Sequence, residues 1–131
     1  MAEIVDIDRA REHRELCRLV LEILRDWEVS EPDQARLLGL EDMTARRWRR
    51  IRAGQETLPE DEAVLMRIHL ILSIYRRLQL HYPRSAAAAD AYVTAPLRRL
   101  GGRTPLEVML EGGERGMRVV LEHLQGSGPW G

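Results

Sequence analysis

The sequence of 131 residues contains no lysine, no phenylalanine and no asparagine, and its single cysteine is Cys17. Because one cysteine cannot form an internal disulfide, a fold stapled by disulfides is excluded. All 20 basic residues are arginines, and together with 21 acidic residues they leave a net charge of −1. This balance excludes a globally polybasic nucleic-acid coat, so only the positions of the arginines can indicate a charged site.

A long uncharged apolar run is also missing. The most apolar stretch, residues 63–82, is interrupted by Arg67, His69, Arg76 and Arg77, whereas a membrane span needs about 20 largely uncharged residues. Residues 1–15 show no basic segment followed by an apolar one, the pattern typical of a signal peptide. We therefore expect a soluble, cytoplasmic protein without a membrane partner.

The residue types that carry enzyme chemistry are scattered along the chain. The histidines form no HExxH motif and no Cys/His cluster, and no serine lies in a GxSxG elbow. We expect no catalytic residue, no metal and no cofactor, and we expect that the chain is not an enzyme. Cys17 lies on an amphipathic stretch and is expected to be a small buried side chain rather than a reactive thiol.

Apolar residues recur at three- and four-residue steps through most of the chain, which is typical of amphipathic helices. Caps, prolines and glycines predict helix starts at Ser30, Asp42, Pro59 and Ser85, and ends at Gly39, Gly54 and Pro83. Residues 112–113, a glycine pair, are predicted to interrupt the last helical stretch. No strand-like alternation occurs, so we predict an all-α fold with an N-terminal module at residues 1–58 and a C-terminal helical module at residues 59–131.

The run from Val64 to Tyr82 carries apolar residues on nearly every face. Such a helix is either buried at the centre of the fold or exposes part of its surface at an interface. Of the two, we predict a central helix that contributes some of its surface to an interface.

Two short predicted helices joined by a tight turn suggest a helix-turn-helix. A small residue at Ala35 lets the helices cross closely, and Gly39 gives the turn its backbone freedom. On the second helix, one arc contains Ala45, Trp48 and Ile51 and is predicted to face the core. The opposite arc would then lie in the major groove of DNA.

Five arginines fall within residues 46–52. Arginine pairs bidentately with guanine and with phosphate. The predicted DNA-binding residues are therefore Thr44, Arg46, Arg47, Arg49 and Arg50. The alternative is a solvated basic helix whose arginines pair with Glu41, Asp42 and Glu56. Because operators are normally read by two-fold symmetric dimers, DNA binding would also imply a homodimer.

The segment from Leu100 to Glu107, LGGRTPLE, precedes an apolar helix, a Gly-Gly break and a second helix containing Val-Val-Leu. This pattern resembles the toxin-binding domain of Xre/MbcA/ParS-type antitoxins. The N-terminal half, from Trp27 through the turn to Trp48, is similar to the Xre-like helix-turn-helix that precedes that domain. Together the resemblance covers about residues 15–131.

The resemblance implies an antitoxin encoded beside a RES-domain toxin that consumes cellular NAD. It implies that the C-terminal region occludes the toxin's active site, and that the N-terminal module binds operator DNA and represses the antitoxin's own operon. It also implies that Gly101, Gly102, Thr104 and Pro105 fix the turn before the next helix, as Gly39 does earlier. Arg103 is then a candidate toxin contact.

The C-terminal segment GSGPWG places Trp130 after a glycine-rich stretch. Tryptophan is enriched among interface hot spots, so Pro129, Trp130 and Gly131 are candidate toxin-binding residues. The alternative is a frayed terminus whose tryptophan lies on the protein's own surface. A different function also remains open, namely a stand-alone helix-turn-helix regulator whose C-terminal module dimerises or binds another partner.

Overall fold

The computed structural model describes the backbone of residues 2–126 and the side chains of residues 6–126. Within these residues the chain forms six α-helices and no strand, which confirms the predicted all-α fold. The helices are α1 (Ala2–Asp26), α2 (Glu31–Leu37), α3 (Ala45–Arg52), α4 (Glu62–His81), α5 (Ala86–Tyr92) and α6 (Pro105–Gly126), and a 3₁₀ turn spans Arg98–Leu100. No helix in this part of the chain is long and apolar enough to cross a bilayer.

The short helices begin at side-chain caps. Ser30 Oγ accepts a hydrogen bond from the Asp33 N–H at the start of α2, and Ser85 Oγ accepts one from the Ala88 N–H at the start of α5. The predicted cap of α3, Asp42, is wrong: Thr44 caps this helix, and its Oγ1 accepts from the Arg47 N–H at 3.2 Å. Asp42 lies two residues before Thr44, in the turn that precedes the helix. Its side chain is therefore not at the N-cap position, whose acceptor serves the first free N–H groups of α3.

The predicted interruption near residues 112–113 is confirmed. Gly113 adopts φ 59° and ψ −134°, so α6 consists of two helical segments that meet at a sharp break. Only glycine adopts this backbone conformation at little cost. Just beyond the break, the backbone at Gly116 lies against the backbone of Val108, so the two segments fold closely onto each other.

The centre of the fold is α4, which packs most extensively against α6 and also contacts α5 and α1. The predicted central helix is therefore observed, with six buried apolar residues along its length. Met66 and Leu80 on the same helix are exposed.

One hydrophobic core runs through both halves of the chain, because α2 also packs against α6. The loop between α3 and α4 contains the predicted module boundary at residues 58 and 59, and it is hydrogen-bonded to α1. In that loop Leu58 is only 1% exposed, and its carbonyl accepts a hydrogen bond from His13 Nε2 at 2.7 Å. The division into modules at residues 58 and 59 stays a prediction.

Candidate DNA-facing helix and toxin-binding region

The predicted helix-turn-helix corresponds to α2, a turn and α3. At the end of α2, the Leu40 N–H donates to Ala35 O at 2.8 Å and the Gly39 N–H to Arg36 O at 3.1 Å, with Gly39 at φ 74°. This is the Schellman arrangement, which needs a left-handed residue and is easiest for glycine. The same pattern ends α3, so both helices stop sharply and the orientation of α3 is fixed.

The two faces of α3 separate core from solvent. Trp48 and Ile51 are buried at 5% and 3% exposure and hold the helix on the core. Ala45 was predicted to share this buried arc, but it is exposed. It is the first residue of α3 and lies at the exposed N-terminal end of the helix.

All five predicted DNA-binding residues lie on the exposed surface at α3, and they are Thr44, Arg46, Arg47, Arg49 and Arg50. Arg46 and Arg49 form no ion pair within residues 6–126, although Arg49 Nε donates weakly to Ala45 O at 3.4 Å. The surface therefore presents clustered guanidinium groups in a chain that is nearly neutral overall.

Glu56, in the loop after α3, bridges two of these arginines. Its Oε2 lies 2.5 Å from Arg47 Nε, and its Oε1 lies 3.3 Å from Arg50 Nη2. The hydrogen bond from Arg47 is the main cause that lowers the pKa of Glu56 from its ordinary value. Of the three acids that could neutralise the basic helix, Glu56 alone pairs with α3 within the described residues. A separate ion pair joins Arg52 to Glu31 at the start of α2.

The turn before α6 contains the residues that the resemblance marked as structural. Gly101 and Gly102 have φ of 70° and 82°. Thr104 forms a capping box with Glu107: Thr104 Oγ1 accepts from the Glu107 N–H at 3.0 Å, and the Thr104 N–H donates to Glu107 Oε1 at 3.1 Å. Pro105 follows as the first residue of α6 and is buried.

The candidate toxin contacts are only partly within the described chain. Arg103 is exposed, and its Nη1 lies 2.5 Å from Glu111 Oε2 on α6. Its Nε also donates to the Leu100 carbonyl at 3.3 Å. The predicted residues Pro129, Trp130 and Gly131 lie outside the described residues.

Sequence reasoning missed Arg67 on α4. Its Nη1 donates to the Leu37 carbonyl at 3.2 Å, and its guanidinium lies against Gly39 and Gly113. A Cβ at either glycine would come within 3.1 Å of this side chain. No local pattern connects an arginine in one helix with glycines in two distant turns.

The histidines and the cysteine do not assemble a reactive site. No group of three or more His, Cys, Asp or Glu side chains within residues 6–126 is arranged to hold a metal ion. Cys17 is buried as predicted, and burial is the main cause that raises the pKa of its thiol. His81 Nε2 bonds to the Leu124 carbonyl at 3.0 Å and joins α4 to α6.

Comparison with known families now identifies the C-terminal region. Residues 79–126 match the model of the antitoxin Xre/MbcA/ParS C-terminal toxin-binding domain. The match runs from the end of α4 through α6 and includes the Gly101–Thr104 turn and the break at Gly113. No curated protein matches the chain significantly.

The C-terminal region is therefore similar to the toxin-binding domain of Xre/MbcA/ParS-type antitoxins, and this likeness extends over residues 79–126.

Proposed function

We propose that this protein is an antitoxin that neutralises a RES-type, NAD-consuming toxin with its C-terminal region and represses its own operon through α3. The toxin-binding half of the proposal rests on the family match at residues 79–126. The RES type of the toxin comes from the wider resemblance of the chain to antitoxins that carry an Xre-like N-terminal module.

The observation that supports DNA binding is the arrangement of α3. Its apolar side chains Trp48 and Ile51 are buried, while Thr44 and four arginines are exposed to solvent. A helix of eight residues fits the major groove, and guanidinium groups can contact guanine or phosphate there. One helix makes few contacts, so we propose that a homodimer places two copies of α3 on successive half-sites.

Co-expression tests the antitoxin half of the proposal. The open reading frame beside the antitoxin gene is induced alone and together with this chain, and growth and cellular NAD are measured. We expect the neighbour alone to stop growth and deplete NAD, and this chain to reverse both effects. A toxic neighbour that leaves NAD unchanged would contradict the RES assignment, and a harmless neighbour would favour a stand-alone regulator.

Variants in the same assay map the proposed toxin contacts. We expect Arg103→Ala and deletion of residues 127–131 each to raise the antitoxin level that restores growth. Arg9→Ala is the control, because Arg9 is equally exposed but lies on α1, outside the matched domain. Full neutralisation by both variants would show that the toxin binds elsewhere.

Removing the arginines of α3 tests DNA binding. We expect the triple variant Arg46→Ala, Arg47→Ala, Arg50→Ala to bind a duplex of its own promoter more weakly. Each lost phosphate contact should reduce the slope of log affinity against log salt by about one unit. Fluorescence anisotropy over a series of salt concentrations measures both quantities.

The matched control removes three other exposed arginines and so changes the net charge equally: Arg9→Ala, Arg76→Ala, Arg84→Ala. We expect this control to keep nearly the wild-type affinity and slope. Equal losses in the two triple variants would mean that general charge, rather than α3, attracts the DNA.

A further inference from the structure

Glu56 forms contacts that would not be needed merely to neutralise the positive charge of α3. A single carboxylate contacts two arginines one turn apart on α3, Arg47 through Nε at 2.5 Å and Arg50 through Nη2 at 3.3 Å. Within residues 6–126 the two terminal amino groups of Arg47 form no hydrogen bond. Two such amino groups form the fork with which arginine contacts guanine O6 and N7. Glu56 therefore contacts the Arg47 guanidinium group at Nε, and the terminal amino groups of Arg47 remain available.

The loop that carries Glu56 is fixed on both sides. Immediately before it, the Gln55 N–H donates to Arg50 O at 2.9 Å and completes the Schellman end of α3. Two residues after it, Leu58 is buried and bonded to His13 on α1. The carboxylate is thus attached to a short backbone segment with little freedom, unlike a glutamate at a loose loop tip.

We propose that Glu56 is a positioning residue that gives α3 its DNA specificity by holding Arg47 and Arg50 in place and repelling phosphate. This inference rests on the DNA binding proposed above. Long arginine side chains lose rotamer freedom when they bind, and a partner that orients them in advance reduces that cost.

The carboxylate also discriminates between the two kinds of DNA contact. An arginine that swings away to reach any nearby phosphate must break its bond to Glu56 and leave a negative charge beside the DNA backbone. An end-on contact to a base can keep the bond. A repulsive element that weakens the wrong complex more than the right one is a general means of achieving specificity.

The test uses the full chain and two labelled duplexes, one from its own promoter and one scrambled with the same length and composition. We expect Glu56→Gln to lower the ratio of promoter to scrambled affinity about tenfold, near the lower end of what one bidentate base contact contributes. Binding to the scrambled duplex should become tighter, with a salt slope about one unit steeper, because the arginines are released to phosphate.

The matched control is Glu41→Gln. Glu41 is exposed in the turn between α2 and α3 and forms no ion pair within the described residues, so its change removes one negative charge near the same surface. We expect it to raise both affinities by a similar factor and to leave their ratio unchanged. A drop in the ratio equal to that of Glu56→Gln would overturn the positioning role and leave only a charge effect.

Two further variants separate position from charge. Glu56→Asp keeps the charge but shortens the side chain by one methylene, so we expect it also to lose specificity. In the Arg47→Ala background, Glu56→Gln should lower the ratio of promoter to scrambled affinity less than it does in the wild-type chain. The reason is that one of the two side chains positioned by Glu56 is already removed. Full specificity in Glu56→Asp, or an undiminished effect in the Arg47→Ala background, would contradict the inference.

The outcomes distinguish this inference from the proposed function. If the wild-type chain binds both duplexes equally or neither, the proposed operator binding fails and the role of Glu56 fails with it. If the wild-type chain prefers its promoter and Glu56→Gln keeps the full preference, only the role of Glu56 is wrong. Far-UV circular dichroism of each variant confirms that the helices are intact.

Discussion

At the scale of single residues, Gly116 shows how closely the two segments of α6 pack. A Cβ at this position would lie 2.1 Å from the Val108 carbonyl oxygen and 3.2 Å from Met109 Cα. Both neighbours are backbone atoms, which cannot rotate away as the end of a side chain can. The region that matches the toxin-binding domain therefore needs a residue without a side chain at position 116 to keep its shape.

We expect Gly116→Ala to lower the free energy of unfolding by about 3 kcal/mol, at the upper end of typical overpacking costs. Urea denaturation followed by circular dichroism measures the change. Gly112→Ala is the control, because a Cβ there meets nothing within 4 Å. Alanine in a helical position is favoured over glycine by about 1 kcal/mol at most, so this variant should be as stable as the wild type or slightly more so. Equal stability of the two variants would contradict the close approach at Gly116.

At the scale of elements, the start of α6 depends on the reciprocal hydrogen bonds between Thr104 and Glu107. They satisfy the N–H groups of both residues at a helix end that has no earlier turn to provide acceptors. The left-handed Gly101 and Gly102 turn the chain just before this cap. The helix therefore begins at one defined residue, which also fixes the position of Arg103 beside it.

We expect Thr104→Ala to lower the free energy of unfolding by about 1 kcal/mol, the usual loss for an N-cap threonine. Thr94→Ala serves as the control, since Thr94 is exposed and its side chain forms no hydrogen bond within residues 6–126. Its stability should stay within about 0.5 kcal/mol of the wild type, as for most surface substitutions. Thermal and urea denaturation of both variants provide the comparison, and indistinguishable values would mean that the capping box contributes nothing measurable.

At the scale of the whole molecule, Arg67 connects the two halves of the chain. Its guanidinium donates to the carbonyl at the end of α2 and lies against the break in α6. The region that matches the toxin-binding domain and the segment of α2 and its following turn therefore meet at one side chain of the central helix. The shared core makes the same connection through apolar contacts.

We expect Arg67→Met to lower the free energy of unfolding by about 2 kcal/mol, because a half-buried hydrogen bond from a charged donor is lost. The apolar stem of the side chain is retained, so the loss reports mainly on the guanidinium. Arg76→Met is the control: Arg76 lies on the same helix, is exposed, and forms no ion pair within the described residues. A stability loss in the control as large as in Arg67→Met would contradict a specific role for Arg67.

Much of the local structure was accessible from the sequence. Ser30, Ser85 and the glycines at positions 39, 54 and 113 mark helix ends through interactions that span only a few residues. The segregation of Trp48 and Ile51 from the arginines of α3 follows from helical periodicity alone. The motif at residues 100–107 was sufficient to indicate the antitoxin family, which the match at residues 79–126 supports.

Other features were decided only by the tertiary structure. The exposure of Ala45, the bridge from Glu56 to Arg47 and the contact of Arg67 with two distant glycines depend on how helices cross and where loops are attached. The sequence by itself determined most helix ends and the apolar side of most helices, because caps and periodicity act over one or two turns. The exceptions are the starts of two helices: α3 is capped by Thr44 rather than Asp42, and α4 begins at Glu62 rather than at the predicted Pro59. The sequence did not determine which side chains meet between helices, because those contacts depend on packing the whole core at once.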